Sequence, residues 1–108
     1  MKGYLGEFEE LVLLTIANLD REAYGAAVLQ HIGETTGRKL SLGALHSTLA
    51  RLEEKGFLGS YLGQPTATRG GRRKRHFVLT SEGVSALSKM KSLRDQLWNG
   101  SKVNLSAE

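Results

Sequence analysis

Apolar positions recur at helical intervals in four stretches of the chain and alternate in two short ones, and their order predicts the architecture. From Glu7 to Leu19, the residues Phe8, Leu11, Val12, Leu13, Leu14, Ile16, Ala17 and Leu19 cover more than one stripe of a helix. So wide an apolar surface is expected to pack on two sides, one its own core and the other a partner subunit. A second helix is predicted from Tyr24-Gly25 to about Thr36, with Val28 and Ile32 inward and Gly37 as its stop. Lys39-Leu40 is expected to add a short edge strand. Ser41 reads as the N-cap of a third helix, because its hydroxyl can accept from a free N–H of the first turn. The core stripe of that helix is Leu42, Leu45, Leu49 and Leu52, and Gly56 ends it.

The period then changes. Phe57 to Leu62 and Arg75 to Leu79 alternate as strands do, separated by the segment from Gly63 to Lys74. Hairpin loops ordinarily take ~2–5 residues, so a connection this long is expected at the surface and in use. Thr80 caps a last helix in which Val84, Leu87, Met90, Leu93, Leu97 and Trp98 repeat every three to four residues. Few elements follow to cover that stripe, which points to pairing with a second chain. The expected organisation is a mainly α winged helix-turn-helix with a small β-hairpin over 1–80. A dimerisation helix of the same domain follows over 81–98, and 99–108 reads as a flexible tail.

Charge sharpens this picture. The chain has 108 residues, a formal charge of +4 and a pI near 9.6. Its acids crowd the beginning, at Glu7, Glu9, Glu10, Asp20 and Glu22, whereas no Asp or Glu lies between Glu54 and Glu82. That acid-free span holds Thr68-Arg69-Gly70-Gly71-Arg72-Arg73-Lys74-Arg75. The glycines let such a loop bend while its cations fan out toward a polyanion. A capped helix followed by a hairpin with a basic tip makes DNA the first partner to consider.

A helix fits the major groove and its N-terminal residues reach deepest. The candidates for base contact are therefore Ser41, Gly43, Ala44, His46 and Ser47, with Arg51 placed for a backbone phosphate. Arg69, Arg72, Arg73 and Lys74 are the candidates for phosphate or minor-groove contact by the wing. Tyr24 can donate its phenol to a phosphate beside the second helix's N-terminus, or pack against the third helix. Phe8, Leu11 and Val12 of the first helix, with Leu87, Met90, Leu93, Leu97 and Trp98 of the last, are the expected homodimer interface. Trp98 also offers a flat surface for a small aromatic effector between subunits.

Other chemistries find no support. Without cysteine there is no disulfide, zinc–thiolate site or cysteine nucleophile. His31, His46 and His76 sit on three elements without metal-ligand spacing, and no base marks a serine nucleophile, so neither a metal, a cofactor nor an enzyme is expected. Gly70-Gly71-Arg72-Arg73-Lys74 lacks the Gly-Lys-Ser/Thr ending of a nucleotide-binding loop. The N-terminus has no signal-peptide pattern and no apolar run approaches a bilayer span, which predicts a soluble cytoplasmic protein without membrane contact.

The chain resembles the PadR family of bacterial transcriptional regulators. The resemblance rests on Tyr24-Gly25, on Leu42-Gly43-Ala44-Leu45-His46 and Leu49-x-Arg51-Leu52-Glu53-x-x-Gly56, and on the wing Gly70-Gly71-Arg72-Arg73-Lys74-Arg75-His76-Phe77. It continues through Leu79-Thr80-x-x-Gly83 and covers about Glu7 to Leu97. It implies a homodimeric, repressor-type winged helix acting on an inverted-repeat operator. Family members regulate phenolic-acid stress and multidrug transporters, which implies responsiveness to a ligand. His46 stands where the family commonly has tyrosine and Leu42 where proline is common, so no operator sequence transfers. A single helix after the wing matches the short branch of the family. Trp98 is displaced by about a turn from the drug-stacking tryptophan of some relatives. Two other classes remain open on the residues alone. One is a winged-helix protein-interaction module without specific DNA binding, and the other is a non-specific architectural DNA binder.

Overall fold

A computed structural model describes residues 5–65 and 73–105. The first helix, α1 (Glu7–Leu19), buries Val12, Leu13 and Ile16 and leaves Leu14 half exposed. Glu9 accepts from the Gly6 N–H at 2.9 Å and so satisfies a donor that the helix start would leave open. A single 3-10 turn (Asp20–Glu22) leads into α2 (Gly25–Thr36), which buries Val28 and Ile32. Gly37 then takes a left-handed conformation, φ 74°, and ends the helix.

The third helix, α3 (Leu42–Glu54), begins as its sequence predicts, with Ser41 Oγ accepting from Ala44 N at 3.1 Å. Its inward stripe differs from expectation. Leu42 is half exposed, and Thr48 takes an inward position with its hydroxyl donating to the Ala44 carbonyl at 3.2 Å. A threonine can lie in this core because that bond satisfies its one polar group. Leu45, Leu49 and Leu52 complete the stripe.

Strands β1 (Leu58–Leu62) and β2 (Arg75–Leu79) pair antiparallel, with Leu58 opposite Leu79, Ser60 opposite Phe77 and Leu62 opposite Arg75. Leu58 and Phe77 turn into the core. No edge strand forms at Lys39-Leu40. The neighbour of β2 is instead the short segment before α2, where Phe77 N donates to the Ala23 carbonyl at 2.8 Å and Tyr24 bridges His76. Two residues carry this pairing, too few for any alternation to show in the sequence.

The last helix, α4 (Ser81–Asn99), is anchored by Thr80. Its hydroxyl accepts from Gly83 N at 3.0 Å and donates to the Gly56 carbonyl at 2.6 Å. Gly83, Ala86 and Met90 face inward, while Val84, Leu97 and Trp98 are exposed, at 55%, 68% and 61%. Two interface expectations need correction here. Val12 is wholly enclosed by the protomer's own core, and Met90 is nearly so. Both belong to the stripe that α1 and α4 turn toward the core, and neither has surface to give a partner. Phe8, Leu11, Leu87 and Leu93 are half-buried, and Leu97 and Trp98 stand clear. Among the described residues, no helix is long and apolar enough to cross a membrane, and no cluster of three His, Cys, Asp or Glu side chains could hold a metal.

Candidate nucleic-acid interface

The solvent face of α3 begins at its capped end. Ser41, Gly43, Ala44, His46 and Ser47 are all exposed. Their side chains are short, apart from the imidazole, so another surface can approach the helix backbone closely. An open groove of about 440 Å³ runs beside this face. Leu42, His46, Ala50 and Glu53 of α3 line one side, Tyr24, Gly25 and Ala26 of the α2 start another, and Lys74, Arg75 and Phe77 the root of the hairpin. Of the predicted recognition residues His46 lines this depression, together with Lys74 and Arg75 at the described end of the basic segment, while Ser41, Gly43, Ala44 and Ser47 lie outside it. Arg69 and Arg72 lie outside the described residues.

His76 organises the hairpin root. Its ring lies flat on Tyr61, centroids 5.2 Å apart and planes at 11°, and meets the Tyr24 ring edge-on at 5.7 Å. Its Nδ1 lies 3.0 Å from the Arg21 carbonyl oxygen. A carbonyl can only accept, so the bond places the proton on Nδ1. Gly63 makes room on the other side: a Cβ there would come within 2.8 Å of His76 Nε2. Lys74 Nζ sits 4.0 Å from the centre of the Tyr24 ring, a cation–π contact. Tyr24 thus packs on the hairpin root, and its ring also borders the groove.

The cations differ in how they are held. Arg73 Nε donates to the Gly63 carbonyl at 3.0 Å. Arg75 donates to Ser60 Oγ at 3.0 Å, and that hydroxyl donates to Glu53 at 2.9 Å, which ties the hairpin to the end of α3. Arg51 lies on the exposed face, but its Nε donates to Glu9 Oε2 at 3.3 Å and its Nη2 to Thr48 Oγ1 at 3.4 Å. Arg51, predicted to face a backbone phosphate, is half exposed and is here turned to the Glu9 carboxylate.

Sequence reasoning passed over His76, Tyr61, Gly63 and Glu9. For the first two a signal existed, because strand alternation puts Tyr61 and His76 on one face and the register sets them directly opposite. Gly63 could have been read only from the ring it accommodates. Glu9 joins α3 across 42 and 46 residues of sequence, a separation that no local pattern reveals.

The model of the transcriptional regulator PadR-like family matches residues 12–89. A PadR family transcription regulator from Clostridium difficile has a similar structure, with TM-score 0.72 and 26% identity over 87% of this chain and 93% of that one. One from Eggerthella lenta gives 0.65 and 26%, covering 87% of this chain and 81% of its own. A PadR-like regulator from Bacillus cereus shares the fold at 17% identity, with TM-score 0.69 and coverage of 85% and 84%. No curated protein matches.

Proposed function

Because the chain belongs to the PadR-like family of transcriptional regulators, we propose that it is a sequence-specific DNA-binding repressor acting as a two-fold homodimer on an inverted-repeat operator. The observation that supports this most directly is the shared groove. His46 of the α3 face and the Lys74–Arg75 root of the basic hairpin border the same depression, and Ser41, Gly43, Ala44 and Ser47 are exposed on the same helix, which supports one duplex meeting both. Ser41, Gly43, Ala44, His46 and Ser47 supply the surface for base edges. Arg69, Arg72, Arg73 and Lys74 grip backbone phosphate, and the Tyr24 phenol stands at the rim between them.

Two-fold pairing sets two copies of α3 into successive major grooves, roughly one helical turn apart. The half-buried Phe8, Leu11, Leu87 and Leu93 and the exposed Leu97 and Trp98 provide the apolar surface for that pairing. A small aromatic effector would sit between subunits beside Trp98, where a change in pairing angle alters the spacing of the two recognition helices. Repression follows from occupying the promoter and blocking polymerase.

Fluorescence anisotropy over a range of salt tests this reading. Arg72→Ala with Arg73→Ala is expected to weaken binding to every duplex and to flatten the salt dependence by up to about 0.9 in slope for each phosphate no longer neutralised. His46→Ala or Ser47→Ala is expected to change preference among operators with little change in slope. Unaltered binding in the double arginine variant would overturn the proposal.

A further inference from the structure

Glu9 occupies an unusual place for a carboxylate in a chain that meets a polyanion. It is only 7% exposed. Its Oε1 accepts from Gly6 N at 2.9 Å. Its Oε2 accepts from Lys55 Nζ at 2.7 Å and from Arg51 Nε at 3.3 Å. The two cations belong to the C-terminal half of α3 and the residue that caps it. Their side chains are far from buried, at 54% exposure for Arg51 and 41% for Lys55. Arg51 follows Ala44 and Ser47 at helical spacing and so shares their face of α3, and both cations keep exposed surface while turned back toward α1.

We propose that Glu9 is a specificity-determining residue that withholds Arg51 and Lys55 from DNA phosphates, confining non-specific attraction to the wing. This rests on the DNA-binding function proposed for the chain and adds a role for a residue that touches no DNA. When a phosphate captures both cations, the Glu9 carboxylate is left enclosed with only the Gly6 N–H, and stranding a buried charge is far costlier than the gain from one exposed phosphate contact. The carboxylate, close and partly shielded from solvent, outcompetes a hydrated, salt-screened phosphate.

Specificity is a difference between two affinities. Contacts to phosphate raise both alike, whereas contacts from Ser41 to Ser47 raise only one. Silencing two cations at the far end of the recognition helix lowers the background without touching the base-reading end.

The test is anisotropy on a duplex of arbitrary sequence, between 50 and 300 mM salt as about the range in which phosphate contacts dominate. Glu9→Gln keeps an oxygen for Gly6 N and removes the charge that holds the cations. It is expected to raise non-specific affinity on the order of ten-fold and to steepen the salt slope by up to about 1.8, two phosphates' worth. Glu54→Gln adds the same charge on α3 without opening this bridge and should change affinity less than about three-fold. In the otherwise unchanged protein, Lys55→Ala and Arg51→Ala should leave the slope where it is. In the Glu9→Gln background, they should abolish the gain.

If Glu9→Gln matches Glu54→Gln, or if Lys55→Ala alone flattens the slope, the inference is overturned while the DNA-binding reading stands. If the unaltered protein binds no duplex at low salt, both are overturned. A flattened slope in Lys55→Ala or Arg51→Ala overturns the inference even where Glu9→Gln folds poorly.

Discussion

Gly83 stands where α4 crosses the base of the hairpin, and replacing it with alanine probes the whole junction. A Cβ at this position would lie 2.2 Å from the Phe57 carbonyl oxygen, 3.2 Å from its carbon and 3.3 Å from a Leu79 methyl. A relaxed carbon–oxygen contact is about 3.3–3.6 Å, so α4 or the Phe57 peptide must retreat by roughly 1 Å. The obstructing atom is backbone and cannot rotate aside. The same carbonyl accepts from Thr80 N at 3.1 Å, so the retreat also strains the bond beside the α4 cap. Overpacking of this kind costs about 1–3 kcal/mol, and a lost buried hydrogen bond a further ~1–3. Alanine returns about 1 kcal/mol of helix propensity. The net loss is about 1–5 kcal/mol, which for a chain near this length lowers Tm by roughly 5–30 °C. Thermal unfolding followed by circular dichroism, at equal protein concentration because any self-association raises apparent stability, reads this directly. A Gly83→Ala protein melting within about 2 °C of the parent would refute the close-approach reasoning.

Two further outcomes follow from the same structure. Burial pushes the Glu9 carboxyl up, but hydrogen bonds from Lys55, the Gly6 N–H and Arg51, together with the Lys55 charge, outweigh it and hold the group below its ordinary 4.5. A carboxylate depressed in the folded state contributes stability that is fully present above pH 4.5 and lost as pH falls through the lower folded value. Glu9→Gln should therefore flatten that part of the acid limb in urea melts taken below pH 4.5, and an unchanged limb would show that the bridge adds no linkage. Leu97→Ser with Trp98→Ser, at two exposed positions, should leave the melting of α1–α3 contacts nearly intact while raising the dimer dissociation constant at least about ten-fold by sedimentation, since two large apolar side chains each contribute roughly 1.5–3 kcal/mol when covered.

What was readable in the sequence is what depends on local period and local chemistry. The stretch from Glu7 to Leu19 has the bounds of α1, and Ser41 and Thr80 cap their helices with the first-turn bonds their residue types predict. What failed depends on distance. Leu42 fits the helical interval of Leu45 and Leu49, yet a first-turn residue faces whatever lies beyond the helix start, here an open groove rather than core. Val12 and Met90 share stripes with surface positions, and only the packing of α1 against α4 determines which members of a wide apolar arc are enclosed. The Lys39-Leu40 strand failed because the edge of β2 was already taken by Ala23 and Tyr24. The exposure of the start of α3 was legible. Arg51 was not, because its direction is set by a carboxylate on another helix.

The uneven charge along the sequence acquires a different meaning in three dimensions. Its acids crowd the beginning of the chain, yet those of α1 do not stand apart as a face of their own. Instead the first turns of α1 spend their carboxylates inside the protomer, each on a different element. Glu7 pairs with Arg38 ahead of α3, Glu9 with Arg51 and Lys55 at the far end of α3, and Glu10 with Arg94 of α4, bound through both Nε and Nη2. The Glu7–Arg38 pair is exposed on its carboxylate side and contributes little to stability, whereas the Glu9 and Glu10 carboxylates are enclosed; what the pairs share is placement. They draw four cations toward α1, while no acid interrupts the span from Lys55 to Ser81 that carries the wing. Formal charge therefore overstates the surface a duplex can use. On the function proposed, attraction falls to the acid-free hairpin sequence and base reading to the uncharged start of α3, so the electrostatic grip and the reading of base edges are divided between two parts of the chain.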